Sequence, residues 1–378
     1  MSDSAPDSEG ETITLHELLE RSARAALDLQ REDGSFPPGR NGVYDESETP
    51  VRTTSHWLTT LSKVYDITGD EVFADAAHDA ADYLLSDEAR PYGYTFHSRS
   101  VKGKDKCDGL VGQAAPIRGL AWAGTTLNRQ EALTVAKEVF SIHPFDRTLG
   151  LWKRVEIGGD ELFFDRTMNH QLLFAGAAAH LVDEYQDIQR DIKTFFECLS
   201  PNISLRRDGV MRHYVRPPLS RIVRTIPSCP ANGKLLTNNF LSRVYTLSSD
   251  RKEKERGYHP VNLLGIAHIL INMPELLSEH TQINGLINAV LSESLLSDHD
   301  WSEFRMGAMT PSIDIALAKH ALADATMSTI RQLVNTDIYK KYNTKSSFLE
   351  NDTTDPVFQA ATLSYAVDLP NQSISIRE

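Results

Sequence analysis

Twelve stretches of the chain place apolar residues three and four positions apart, and these stretches alternate between two kinds. The helices expected to begin near positions 52, 111, 167, 261, 311 and 355 are rich in Gly, Ala, aromatic and apolar residues on all sides. Those expected near positions 15, 71, 130, 189, 283 and 327 keep a charged or polar face. The first kind reads as buried all round, the second as buried on one side only. Six enclosed helices surrounded by six amphipathic ones predict an all-α fold, an (α/α)6 toroid of six helical hairpins. Successive inner helices are spaced by about 45 to about 95 residues, as expected where loops at one end have been enlarged for function.

The expected helices are Leu15–Leu29, Arg52–Thr68, Glu71–Leu85, Val111–Leu127, Gln130–Ser141, Thr167–Glu184, Gln189–Leu199, Val261–Ile271, Ile283–Leu296, Pro311–Leu322, Met327–Tyr342 and Asp355–Val367. A further short one fits Leu235–Leu247. Strand signal is confined to loops, chiefly a small β-hairpin over Ile203–Tyr214 turning at Asp208-Gly209. Residues 1–11 read as a disordered tail, 12–370 as one domain and 371–378 as a C-terminal tail.

Acidic residues number 52 against 39 Lys and Arg, a net charge of −13, which opposes nucleic acid as a partner. No apolar run reaches the ~18 residues of a membrane span, and the acidic N-terminus is unlike a signal peptide. Cys107, Cys198 and Cys229 are widely spaced with no CxxC pair, so a cytoplasmic location is expected. The nucleotide-binding glycine motifs are absent and the histidines are scattered, so neither a cofactor nor a metal is expected.

Two segments set an aspartate just before a buried small-residue helix: Cys107-Asp108-Gly109-Leu110-Val111-Gly112-Gln113 and Phe164-Asp165-Arg166-Thr167-Met168-Asn169-His170-Gln171. A carboxylate at a helix N-terminus serves as a plain cap or as a catalytic group. Capping does not explain Asn169, His170 and Gln171, because polar side chains on a buried helix must face partners or a cavity; Gln113 and His170 are candidate hydroxyl contacts. Arg52 and His56, one turn apart on another inner helix, are candidate contacts for a sugar carboxylate or hydroxyls. Trp57 is either a stacking platform or core, and His259 precedes a further inner helix. Arg212, His213 and Arg216 form either a basic rim or a solvated hairpin, and the run Asp250–Arg256 reads as a solvated turn.

Asp165-Arg166-Thr167-Met168-Asn169 resembles the Asp-x-x-Met-Asn motif of unsaturated glucuronyl hydrolases, six-hairpin glycosidases, and Asp108-Gly109-Leu110 resembles their other aspartate segment. Over nearly its whole length the chain resembles the AglQ-like proteins of archaeal surface-layer N-glycosylation. The matching segments are Gln30–Phe36, Glu48–Arg52, Cys107–Gln113, Phe164–Gln171 and Gly257–Asn262. The resemblance implies a glycoside-hydrolase-like enzyme with Asp165 as general acid/base and Asp108 as its partner carboxylate. It also implies a hexuronic-acid-containing oligosaccharide substrate, lipid-linked or free, and peripheral contact with membrane-bound glycosylation machinery. In those hydrolases the reaction hydrates a vinyl ether, and Cys107 stands where they commonly carry histidine, a departure from their residue set. Two alternatives stay open: a sugar epimerase of the N-acylglucosamine 2-epimerase type, using His56, His170 and His259, and a non-catalytic glycan-binding scaffold.

Overall fold

A computed structural model describes all residues except 1–10, 245–248, 293–309, 323–324 and 378. The part of the expected N-terminal tail up to residue 10, and the last residues of the helices expected at Leu235–Leu247 and Ile283–Leu296, lie outside the described residues.

Among the described residues, six outer helices alternate with six inner ones. The outer set is α1 (Leu15–Ala26), α3 (Glu71–Leu85), α5 (Gln130–Ser141), α7 (Gln186–Asn202), α9 (Thr281–Val290) and α11 (Met327–Lys341). The inner set is α2 (Val51–Thr68), α4 (Val111–Thr126), α6 (Met168–Ala179), α8 (Ser249–Asn272), α10 (Pro311–Ala321) and α12 (Pro356–Ala361). α12 continues as a 3-10 turn, Thr362–Ala366. Each inner helix packs on the next, and α12 with its extension closes the ring between α10 and α2. The chain is the expected (α/α)6 toroid.

Local chemistry sets the helix starts. Thr14 and Glu17 form a reciprocal capping box on α1, which buries Leu15, Leu18, Leu19, Ala23 and Ala26 on one stripe. Asp70 caps α3, and Asp355 with Pro356 starts α12. The inner helices lack such faces: α6 buries ten residues, from Met168 to Ala179, around its whole circumference. Close packing there depends on glycine. A Cβ on Gly265 of α8 would come within 2.7 Å of the Leu172 backbone, and one on Gly176 of α6 within 2.8 Å of the Gly265 carbonyl oxygen.

Two expectations are corrected. Residues 371–378 are not a free tail: Ser373–Ile376 pairs antiparallel with β1 (Glu11–Thr14), burying Ile374 and Ile376 against the core. The run Asp250–Arg256 is not a turn but part of α8, where Glu255 is buried between Arg206 and Arg251, each at 3.5 Å. Ile203–Tyr214 turns back at Asp208-Gly209 as expected, through one antiparallel bridge, Leu205 to Met211, with the Arg206 N–H on the Val210 carbonyl and the Arg212 N–H on the Ser204 carbonyl, each at 2.9 Å. A further sheet lies at β2 (Phe145–Asp146), β3 (Leu151–Val155) and β4 (Glu161–Phe164), which leads into α6. No helix among the described residues is long and apolar enough to cross a membrane.

The α6–α8 contact generates a test. Gly265→Ala should destabilise the fold by about 1–3 kcal/mol through overpacking, measured from urea unfolding. An unchanged midpoint would show that the two backbones have room to part.

Candidate active site at the mouth of the toroid

A cavity of about 380 Å³ runs into the ring from the N-terminal ends of the inner helices. The segment before α4 shapes one wall. Asp108 and Gly109 both take left-handed backbone, at φ 53° and 60°, which turns the Asp108 side chain across the mouth. Arg52 donates to Asp108 Oδ2, and Arg99 Nη1 lies 2.5 Å from its Oδ1. Arg52 also pairs with Glu48 at 3.1 Å. Burial pushes the Glu48 carboxyl up to about 7, against the pull of Arg52.

Asp165 has a different setting. It is 5% exposed, does not line the cavity, and uses both oxygens. Oδ1 accepts from the Thr167 N–H at 3.1 Å. Oδ2 accepts from the Leu110 N–H at 3.1 Å and pairs with His170 Nδ1 at 2.8 Å. Although burial opposes it, His170 and these backbone donors hold the Asp165 carboxyl well below the usual carboxylate range. An ionised carboxylate accepts a hydrogen bond from Nδ1–H, which leaves the lone pair of the neutral imidazole on Nε2; His170 lines the cavity.

The remaining candidates divide. Arg52, His56, Asp108, Asn169 and His170 share the cavity wall. His56 lies 2.8 Å from Ser364 Oγ, and burial, with Arg118 and Arg52 nearby, brings its pKa down to about 3. Trp57 is core, packed between Phe36 and Phe348 at ring separations of 5.8 Å. Gln113 is a tether: its amide bonds both backbone groups of Phe96 and the Cys107 carbonyl. His259 is fully buried, accepting from the Met211 N–H at 3.2 Å and donating to the Val290 carbonyl at 3.0 Å. Of the basic trio, His213 lines the cavity, its pKa brought down to about 3 by burial and then by Lys254.

Sequence reasoning missed the deeper wall. Arg118 and His268 line it from within α4 and α8, Asp314 from the first turn of α10, and Tyr365 from the 3-10 turn after α12. The available signal was a polar residue within an otherwise apolar stretch, such as Arg118 between Ala114 and Gly124. Burial pushes Asp314 well above the usual carboxylate range, and the nearby Asp337 adds to it. Burial likewise raises Tyr365 to about 12 and drives His268 far down.

No family model matches the chain. Archaeal glycosylation protein Q of Haloferax volcanii is 36% identical over 369 residues, covering 96% of this chain and 99% of that protein. The chain belongs to the archaeal glycosylation protein Q family. Solved structures agree on the fold of this family member. Cellobiose 2-epimerase from Bacillus thermoamylovorans superposes with a TM-score of 0.64 at 10% identity, over 93% of this chain and 98% of that one. A D-mannose isomerase gives 0.59 at 11% identity, over 96% and 99% of the two chains. An inactive α-1,6-mannanase variant from Salegentibacter sp. HEL1_6, bound to α-1,6-mannotetrose, gives 0.53 at 9% identity, over 93% and 98%. At such identities the likeness is one of fold.

Glu48 makes the site's electrostatics measurable. A carboxyl with a raised folded pKa stabilises fully below its unfolded value, and that contribution is lost as pH rises through about 7. Glu48→Gln should therefore gain stability relative to the unsubstituted protein between about pH 5 and about pH 8. Thermal unfolding across that range checks it, and a pH-independent difference would refute the assignment.

Proposed function

We propose that this protein is a sugar-active acid/base enzyme acting on a hexuronic-acid-containing oligosaccharide, lipid-linked or free, in assembly of the surface-layer N-linked glycan. The reaction is placed on the cytoplasmic side, in peripheral contact with the membrane-bound glycosylation machinery. The observation that carries this reading is the His170–Asp165 pair, an imidazole at the cavity wall backed at 2.8 Å by a buried carboxylate. Such a histidine takes and returns a proton at a carbon beside a carbonyl, the step shared by sugar isomerisation and epimerisation. Arg52, Arg99 and Lys104 line the mouth, where a uronate carboxylate binds by exchanging with the Asp108 and Glu46 carboxylates they hold. The family relationship supports a glycan as substrate. Epimerase and isomerase folds among the structural neighbours are compatible with proton transfer but do not establish it.

Two-carboxylate hydrolysis draws less support. Asp165 is set back from the cavity lining with both oxygens already hydrogen-bonded, and a carboxyl held so far down is a poor proton donor. One observation keeps hydrolysis as a second reading: Asp108 lines the cavity in a backbone conformation that non-glycine residues rarely adopt.

Incubation of the purified chain in D2O with mannose, cellobiose and glucuronate-containing oligosaccharides separates the readings. Proton transfer predicts deuterium at the carbon beside the carbonyl, with His170→Gln slowing exchange by about 10²–10⁴-fold. Release of new reducing ends without exchange would favour hydrolysis. Binding without either reaction would leave a scaffold, and unimpaired exchange in His170→Gln would remove the role given to His170.

A further inference from the structure

Against the floor of the cavity, three residues distant in sequence converge. His180 follows the last turn of α6, His268 lies near the end of α8, and Asp368 follows the 3-10 extension of α12. One ligand atom from each lies within 4.8 Å of the others. His268 is 2% exposed, yet neither of its ring nitrogens has a hydrogen-bond partner among the described residues, and the same holds for His180 Nε2. Buried polar atoms are nearly always paired, so three such nitrogens in one cluster call for a ligand.

The spacing indicates which kind. His268 Nδ1 stands 3.4 Å from Asp368 Oδ2 without the alignment of a hydrogen bond. Ligand bonds of about 2.0–2.1 Å at the tetrahedral angle place neighbouring ligand atoms about 3.3–3.4 Å apart. The other separations are bounded by 4.8 Å. Arg118 Nη2 donates to the same carboxylate at 2.9 Å, an outer contact of the kind that fixes a ligating carboxylate.

We propose that His180, His268 and Asp368 form a binding site for a divalent transition metal ion of borderline softness, zinc(II) being the type. Three protein ligands leave a coordination position for an oxygen ligand. Because His268 also lines the cavity, an ion held there sits against the cavity floor, where it would polarise a carbonyl or hydroxyl oxygen. The site stands independently of the role given to His170.

The test titrates the chelator-stripped full chain with cobalt(II), followed by visible d–d absorption, and with zinc(II), followed by equilibrium dialysis and elemental analysis. The expected result is stoichiometric binding with cobalt bands typical of low coordination number and a zinc-dependent rise in the thermal midpoint. His180→Gln, His268→Gln and Asp368→Asn should each weaken binding by at least about tenfold. His280→Gln, an imidazole outside the cluster, should leave it unchanged. Should the buried variants fail to fold, the wild-type protein decides alone. A folded, stripped wild type with substoichiometric zinc and no cobalt bands would overturn the proposal, as would binding unaltered in folded His268→Gln.

Discussion

One buried carboxylate joins two of the six inner helices at the mouth. Asp165 accepts from the backbone N–H of Leu110, at the start of α4, and of Thr167, at the start of α6, while its second oxygen also holds His170. These amides are among the donors that a helix leaves unpaired at its N-terminus. A carboxylate between two such ends is favoured by both dipoles, which offsets its removal from water. The same contact dictates glycine at position 109, since a Cβ there would lie 2.6 Å from Asp165 Oδ2 and 3.2 Å from His170 Nδ1. Structure and chemistry at the mouth therefore share one atom.

From that point inward the character of the cavity changes. Its entrance carries paired ions, with Arg52 and Arg99 on Asp108 and Lys104 on Glu46. Its depth carries groups that burial keeps uncharged: His56, His268, Asp314 and Tyr365. Arg118, held by Asp368 and the Ser364 carbonyl, is the cation among these deeper lining residues. Each of these entrance cations is matched by a carboxylate, so the entrance offers ion pairs that a ligand must exchange with rather than a net positive field, whereas a neutral polar interior fixes orientation through hydrogen bonds.

The toroid was legible because burial on all sides and burial on one side leave different compositional marks, and both repeat around the ring. Some helix ends were legible locally: α3, capped by Asp70, and α5, which lacks a side-chain cap, both have the bounds their sequences predict. The start of α8 was hidden, since a charged run resembles a turn until Glu255 finds Arg206 from a distant loop. Tail pairing was hidden for the same reason, strand β1 being specified by residues at the other end of the chain. At the site, first-turn residues such as Asn169 and His170 were found by their misfit with a buried helix. Gln113 and His259 show the same misfit, but backbone partners account for them. Polarity on a buried helix therefore signals a requirement for partners, and only the folded chain distinguishes backbone from ligand.

The two aspartate motifs also correspond to one another differently from the way their sequences invite. Gln113 bonds both backbone groups of Phe96 and reaches the Cys107 carbonyl at 2.7 Å. Gln171 does the same to Trp152 and to the Asp165 carbonyl, also at 2.7 Å. The repeated tether makes Cys107 the positional counterpart of Asp165, and Asp108 that of Arg166. The two aspartates consequently leave their turns one residue apart in register, one crossing the mouth and the other tucked beneath the next helix. The one-residue offset between the two turns gives Asp108 a place at the cavity wall and Asp165 a place behind His170.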